Sequence, residues 1–119
     1  MILFIGCSNG NTNKITFKGE SSNWQAARTY TYSKDWVDDI FQLKYKDKNT
    51  KNTIVKYKLT SDTGNTTIAG EETMKEGLIS HPGGGNIGIP NKEQYFILTV
   101  EWDGKTETMK LIVDKNGNE

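Results

Sequence analysis

The 119-residue chain is poor in the residues that build covalent or metal-centred sites. It has one Cys and one His. A single Cys excludes an intrachain disulfide framework and any multi-cysteine metal site, and a single His excludes a multi-histidine one. Its 15 basic and 15 acidic side chains cancel, which argues against a nucleic-acid partner held by phosphate neutralisation. There are only two Pro, and no heptads, internal repeat or internal apolar run long enough to span a membrane. Ala and Leu are scarce, at 3 and 6, whereas Ile and Thr number 11 and 14. That bias favours strands. Mean hydropathy is low, at −0.69. Three Trp, five Tyr and four Phe nevertheless call for a buried interior, unlike a disordered chain. The length suits one domain.

Short alternating runs separated by Gly, Asn, Asp and Lys clusters fill residues 14–113. Ile15 and Phe17 share one parity of the first run. Trp24, Ala26, Tyr30 and Tyr32 share one parity of the second, with Arg28 on the same apolar side, a place that suggests a sheet edge or a bulge. A helical turn over Trp24 to Arg28 is the rival there, because Ser22 and Gln25 have capping-box spacing. Phe41, Leu43 and Tyr45, then Val55, Tyr57 and Leu59, read as inward sets on two further strands with lysines outward, and a weaker strand runs from Thr66 to Met74. One apolar face and one wet face is the mark of antiparallel sheets. The clearest local signal is Asp103-Gly104 between two alternating runs, a favoured type I′ turn. A two-residue turn sets Trp102 opposite Lys105, Val100 opposite Glu107, Leu98 opposite Met109 and Phe96 opposite Leu111, with Glu107 near the turn and within reach of water. Seven to eight strands at this spacing predict an antiparallel β-sandwich or a barrel.

No catalytic constellation emerges, and the chain reads as a non-enzyme with no cofactor or metal site. Ser80 beside His81 is not a triad, which needs nucleophile, base and orienting acid meeting across space. The stretch from His81 to Pro90 reads as a Gly-rich loop. Its Gly83-Gly84-Gly85 lacks the strand before and helix after that a phosphate cradle requires, leaving a connection or a recognition loop. Asp35, Asp38 and Asp39 around Trp36 lack a calcium-loop frame and read as a solvated loop; Glu71 and Glu72 are an adjacent acidic pair within the weaker strand. Trp24, Tyr30, Tyr32 and Trp36 offer a weak hint of sugar stacking. Lys44, Lys46, Lys48, Lys51, Lys56 and Lys58 would line the outer face of one hairpin, for edge protection or for contact with an anionic polymer.

The start, Met1-Ile2-Leu3-Phe4-Ile5-Gly6-Cys7-Ser8-Asn9-Gly10-Asn11, resembles the end of a bacterial lipoprotein signal peptide. Gly6 takes the place before cleavage and Cys7 the acylated position, with Phe4 where Leu is usual. A complete signal has a basic region and about 7–15 apolar residues. Six non-basic residues precede Cys7, so the expectation is either a translation start further upstream or a signal segment that has been trimmed. The alternative makes Ile2 to Ile5 a first strand and Cys7 a buried thiol. Gly6-Cys7-Ser8, Phe17 to Trp24, Gly83 to Gly85 and Thr99 to Thr108 together resemble a group of small, uncharacterised Gram-positive bacterial lipoproteins with an immunoglobulin-like β-sandwich. The resemblance implies a signal remnant and tether over 1–13, one sandwich domain over 14–113 and a tail over 114–119. It implies a monomer outside the cytoplasm, held to the outer face of the cell membrane through lipidated Cys7. Its role would be binding or structural, with a wall polymer, carbohydrate or surface protein as partner. The competing expectation is a small lipocalin-like β-barrel carrying an apolar ligand in its cavity.

Overall fold

A computed structural model describes residues 13–34, 36–47, 53–85 and 89–115. Every regular element among them is a strand: β1 (Asn13–Glu20), β2 (Trp24–Tyr32), β3 (Val37–Tyr45), β4 (Ile54–Ser61), β5 (Thr66–Thr73), β6 (Leu78–Gly85), β7 (Phe96–Trp102) and β8 (Lys105–Val113). All pairings are antiparallel, in the order β5-β4-β7-β8-β1-β2-β3-β6. The helical turn weighed over Trp24 to Arg28 does not form. Those residues lie in β2, where Trp24, Ala26 and Arg28 face inward and leave no helical stripe.

The sheet falls into two four-stranded halves. β6-β3-β2-β1 and β8-β7-β4-β5 are joined along a short β1–β8 ladder, Phe17 opposite Val113 and Lys18 opposite Ile112. On the far side, β5 and β6 are the two edges. A tight turn at Glu76-Gly77, with φ of 55° and 76°, links them through an isolated Lys75–Leu78 bridge. No ladder forms between β5 and β6 among the described residues, so the sheet is nearly closed and barrel-like, with one seam.

The alternation read from the sequence places the core. Ile15, Phe17, Trp24, Phe41, Leu43, Val55, Tyr57 and Leu59 are all buried. The β7–β8 register is the one that the Asp-Gly turn dictates, from Trp102 opposite Lys105 to Phe96 opposite Leu111. Asp103 and Gly104 have φ of 48° and 72°, as a type I′ turn requires at both positions. Aromatic rings tie the halves together. Trp24 lies 5.3 Å edge-on from Trp102 and 4.8 Å from Tyr45, and Phe17 packs edge-on to Phe96 at 5.1 Å. Fully burying each such side chain contributes about 1.5–3 kcal/mol.

Candidate functional site

Two sets of polar side chains meet along the seam between β5 and β6. Arg28 and Asp39 sit on the inward parity of adjacent strands, diagonal to one another in the β2–β3 ladder. Arg28 Nε and Nη2 both donate to Asp39 Oδ2, at 2.8 and 2.7 Å. The two side chains are only 7% and 4% exposed. Arg28 Nη1 donates to Thr67 Oγ1 of β5 at 3.0 Å, and Thr67 Oγ1 donates to the Leu59 carbonyl. The guanidinium carbon lies 4.8 Å from the Tyr30 ring centroid and 5.2 Å from that of Phe96, where a desolvated cation is held by ring quadrupoles. Burial pushes the Tyr30 phenol up to about 12, with Arg28 opposing the shift and Asp39 reinforcing it. Asp39 has its room because its partner on β6 is Gly83. A Cβ there would stand 2.5 Å from Asp39 Oδ1.

A second set lies along the same seam. Tyr57 reaches from β4 with its ring 5.7 Å from Phe41, and Tyr57 Oη donates to Glu72 of β5. His81 Nδ1 of β6 is 3.0 Å from the same Oη. With the phenol proton committed to Glu72, Oη is left as an acceptor toward His81 Nδ1. Burial raises the Tyr57 pKa well above that of a free phenol, and the hydrogen bond to Glu72 and its charge add to the effect. A third set closes the end that holds the β1–β2 turn. Glu107 Oε1 accepts from Ser21 Oγ at 2.5 Å and from the Asn23 N–H at 3.0 Å.

Several expectations change. Gly83 to Gly85 is not a loop but the end of β6, paired with β3 from Lys44–Leu78 to Val37–Gly85. Pairing with a strong neighbour outweighs the weak strand propensity of Pro and Gly. His81 therefore faces the seam from a strand. Ser80, next to it, is exposed on the opposite face. Arg28 marks neither an edge nor a bulge: β2 is central, and the charge is buried because Asp39 meets it. Asp38 and Asp39 belong to β3 and not to a solvated loop; Asp35 lies outside the described residues. Glu72 lies in β5, within the strand read over Thr66 to Met74, and is bonded to Tyr57. Glu107 is held by the β1–β2 turn. The lysines do not share a hairpin, because β3 and β4 are five places apart in the sheet order. Lys56 sits between Glu71 and Glu101 across its two ladders. Lys48, Lys51 and the lipidation candidate Cys7 lie outside the described residues. Of the aromatics, Trp24 and Tyr30 are core, Tyr32 is half-buried, and Trp36 is 42% exposed.

Among the described residues no group of three or more His, Cys, Asp or Glu is placed to hold a metal. An open groove of about 530 Å³ runs over the outer face of the β6-β3-β2-β1 half, above Ala27 between Lys18, Gln42 and Lys44. No family model, curated protein or solved structure matches the chain. Opposite charges on the apolar parity of successive strands were the signal that could have located the Arg28–Asp39 pair.

Proposed function

We propose that this chain is a non-catalytic, lipid-anchored module of the outer face of a bacterial cell membrane, with a binding or structural role toward wall polymer, carbohydrate or surface protein. The observation that carries the non-catalytic part is that the polar side chains along the seam and at the β1–β2 turn are engaged with one another. Arg28, Asp39 and Thr67 bond to one another, as do Tyr57, Glu72 and His81, and Glu107 is spent on Ser21 and Asn23. A hydrolytic centre needs a nucleophile beside its base, and Ser80 and His81 point to opposite faces of β6. The anchor rests on Gly6-Cys7-Ser8 and on the polar stretch leading to β1. Two acyl chains on Cys7 would hold stably where one is marginal.

For the fold, one continuous order of eight strands supports the small barrel over two separate immunoglobulin-like layers. The carrier function is the weaker companion of that barrel, since Phe17, Trp24, Phe41 and Phe96 occupy the interior at no more than 1% exposure. Saturable binding of an apolar fluorescent probe would reverse that order. The anchor is tested by expressing the gene with its native upstream region in a Gram-positive host fed an alkyne fatty acid. The membrane fraction is expected to carry labelled protein, and Cys7→Ala is expected to lose the label. Soluble, unlabelled protein with a free Cys7 thiol would overturn the proposal.

A further inference from the structure

We infer that the end of the sheet from which the Cys7 tether departs is a bilayer-contacting face, with Trp36 and Ile89 seated among lipid headgroups. The inference rests on Cys7 as the lipid anchor. Cys7 precedes Asn13, the first residue of β1, by six positions. An extended chain covers at most 3.3–3.6 Å per residue, so Asn13 stays within roughly 20 Å of an anchored Cys7. The body measures 46 × 35 × 23 Å. A tether shorter than the body's two longer dimensions keeps one end of the strands near the surface.

Strand pairing identifies what that end carries. Asn13 pairs with Tyr32, so the β2–β3 turn is there, closed by the Ser33 N–H on the Trp36 carbonyl at 3.0 Å. Val37 pairs with Gly85, which brings the end of β6 to the same place. β8 leaves there too, with the Asp114 N–H on the Thr16 carbonyl. Residues 89–95 lead into β7 at this end, tied down by the Asp62 N–H on the Tyr95 carbonyl. Trp36 is 42% and Ile89 55% exposed, and each has an exposed lysine within three residues, Lys34 and Lys92.

Apolar exposure alone does not choose an end, since Ile54 and Leu78 are exposed at the opposite one. The tether makes the choice, and Trp36 fits it. Trp is the side chain that sits at membrane interfaces, apolar in body with one polar N–H, and Trp36 is the one exposed Trp of three. Asp38, Asp62 and Glu93 offset the lysines near this end. Apolar seating, not attraction to anionic lipid, therefore supplies the contact, and zwitterionic lipid is enough.

Trp36 reports on its own position, because Trp24 and Trp102 are buried. The full chain is coupled through the Cys7 thiol to a maleimide-bearing lipid in phosphatidylcholine vesicles, either plain or brominated on the acyl chains. Brominated lipid is expected to quench the part of the emission that Trp36→Phe removes. A Cys7→Ser/Thr106→Cys variant, coupled at the β7–β8 end instead, is expected to show no quenching. Unquenched emission with the Cys7 tether, equal quenching from both tethers, or quenching that persists in Trp36→Phe would each overturn the inference. Chemical coupling makes these outcomes independent of cellular lipidation of Cys7, which the fatty-acid labelling decides separately.

Discussion

Arg28 places two nitrogens, Nε and Nη2, on one oxygen of Asp39, and its third, Nη1, on Thr67 across the seam. One side chain from a central strand thus joins β2, β3 and β5, where the sheet has no ladder of its own. The Tyr57–His81 contact performs a similar task between β4 and β6. The seam is closed by side chains where backbone pairing stops.

Breaking a buried ion pair strands a charge and costs about 3–5 kcal/mol, whereas replacing both partners by apolar groups is often neutral. Arg28→Met and Asp39→Leu should each lower the urea midpoint sharply, and the double variant should recover most of the loss. If the single variants are as stable as the parent, the pair does not hold the seam.

Glu107 binds the β1–β2 turn through one oxygen shared by Ser21 Oγ and the Asn23 N–H. Hydrogen bonds to a charged group contribute about 1.5–3 kcal/mol each when desolvated, and the partial exposure here argues for the lower end. Glu107→Gln keeps an acceptor and should cost less than Glu107→Leu. Amide exchange at Asn23 should quicken markedly in the Leu variant, and unchanged exchange there would remove the latch role.

What was legible in the sequence is what one strand or one turn decides for itself. The β7–β8 register was readable because alternation and Asp103-Gly104 give the same pairing. The inward sets of β3 and β4 were readable because period-2 patterning needs no partner. Neighbours across the sheet were not. Lys44 and Lys56 look adjacent along the chain, and only the sheet order separates them. Gly83 carries no strand pattern; β3 recruits it, and its missing side chain makes room for Asp39. The buried Arg28 was visible as an oddity, but its explanation lies on the next strand.

Burial raises the Tyr30 pKa from the free value of 10.0 to about 12, and Tyr57 is raised as well. A phenol with a raised folded-state pKa contributes its full stability below pH 10. It loses that contribution as the pH climbs toward the folded value, because the unfolded chain ionises first. The denaturant midpoint should therefore fall between about pH 10 and 12, with phenolate absorbance from Tyr30 and Tyr57 rising together with loss of β circular dichroism as the chain unfolds. Tyr30→Phe should move the transition to higher pH. Ionisation of both phenols in a chain that keeps its strands would contradict their burial.

Two glycines separate backbone strain from steric crowding. At Gly104, φ is +72° and an added Cβ meets nothing within 4 Å. Gly104→Ala should therefore cost only the left-handed penalty, about 1–2 kcal/mol. At Gly19, a Cβ would lie 2.4 Å from the Lys110 carbonyl oxygen, a backbone atom that cannot swing aside. β1 and β8 would have to part, and among the described residues their ladder of two residue pairs is the only strand ladder that unites the halves of the sheet. Overpacking of this kind costs about 1–3 kcal/mol or more, and here it acts where there is least pairing to absorb it. Gly19→Ala should lower the denaturation midpoint more than Gly104→Ala and should speed amide exchange at Lys18 and Ile112. A Gly19→Ala protein as stable as the Gly104→Ala one would show that the β1–β8 joint yields without strain.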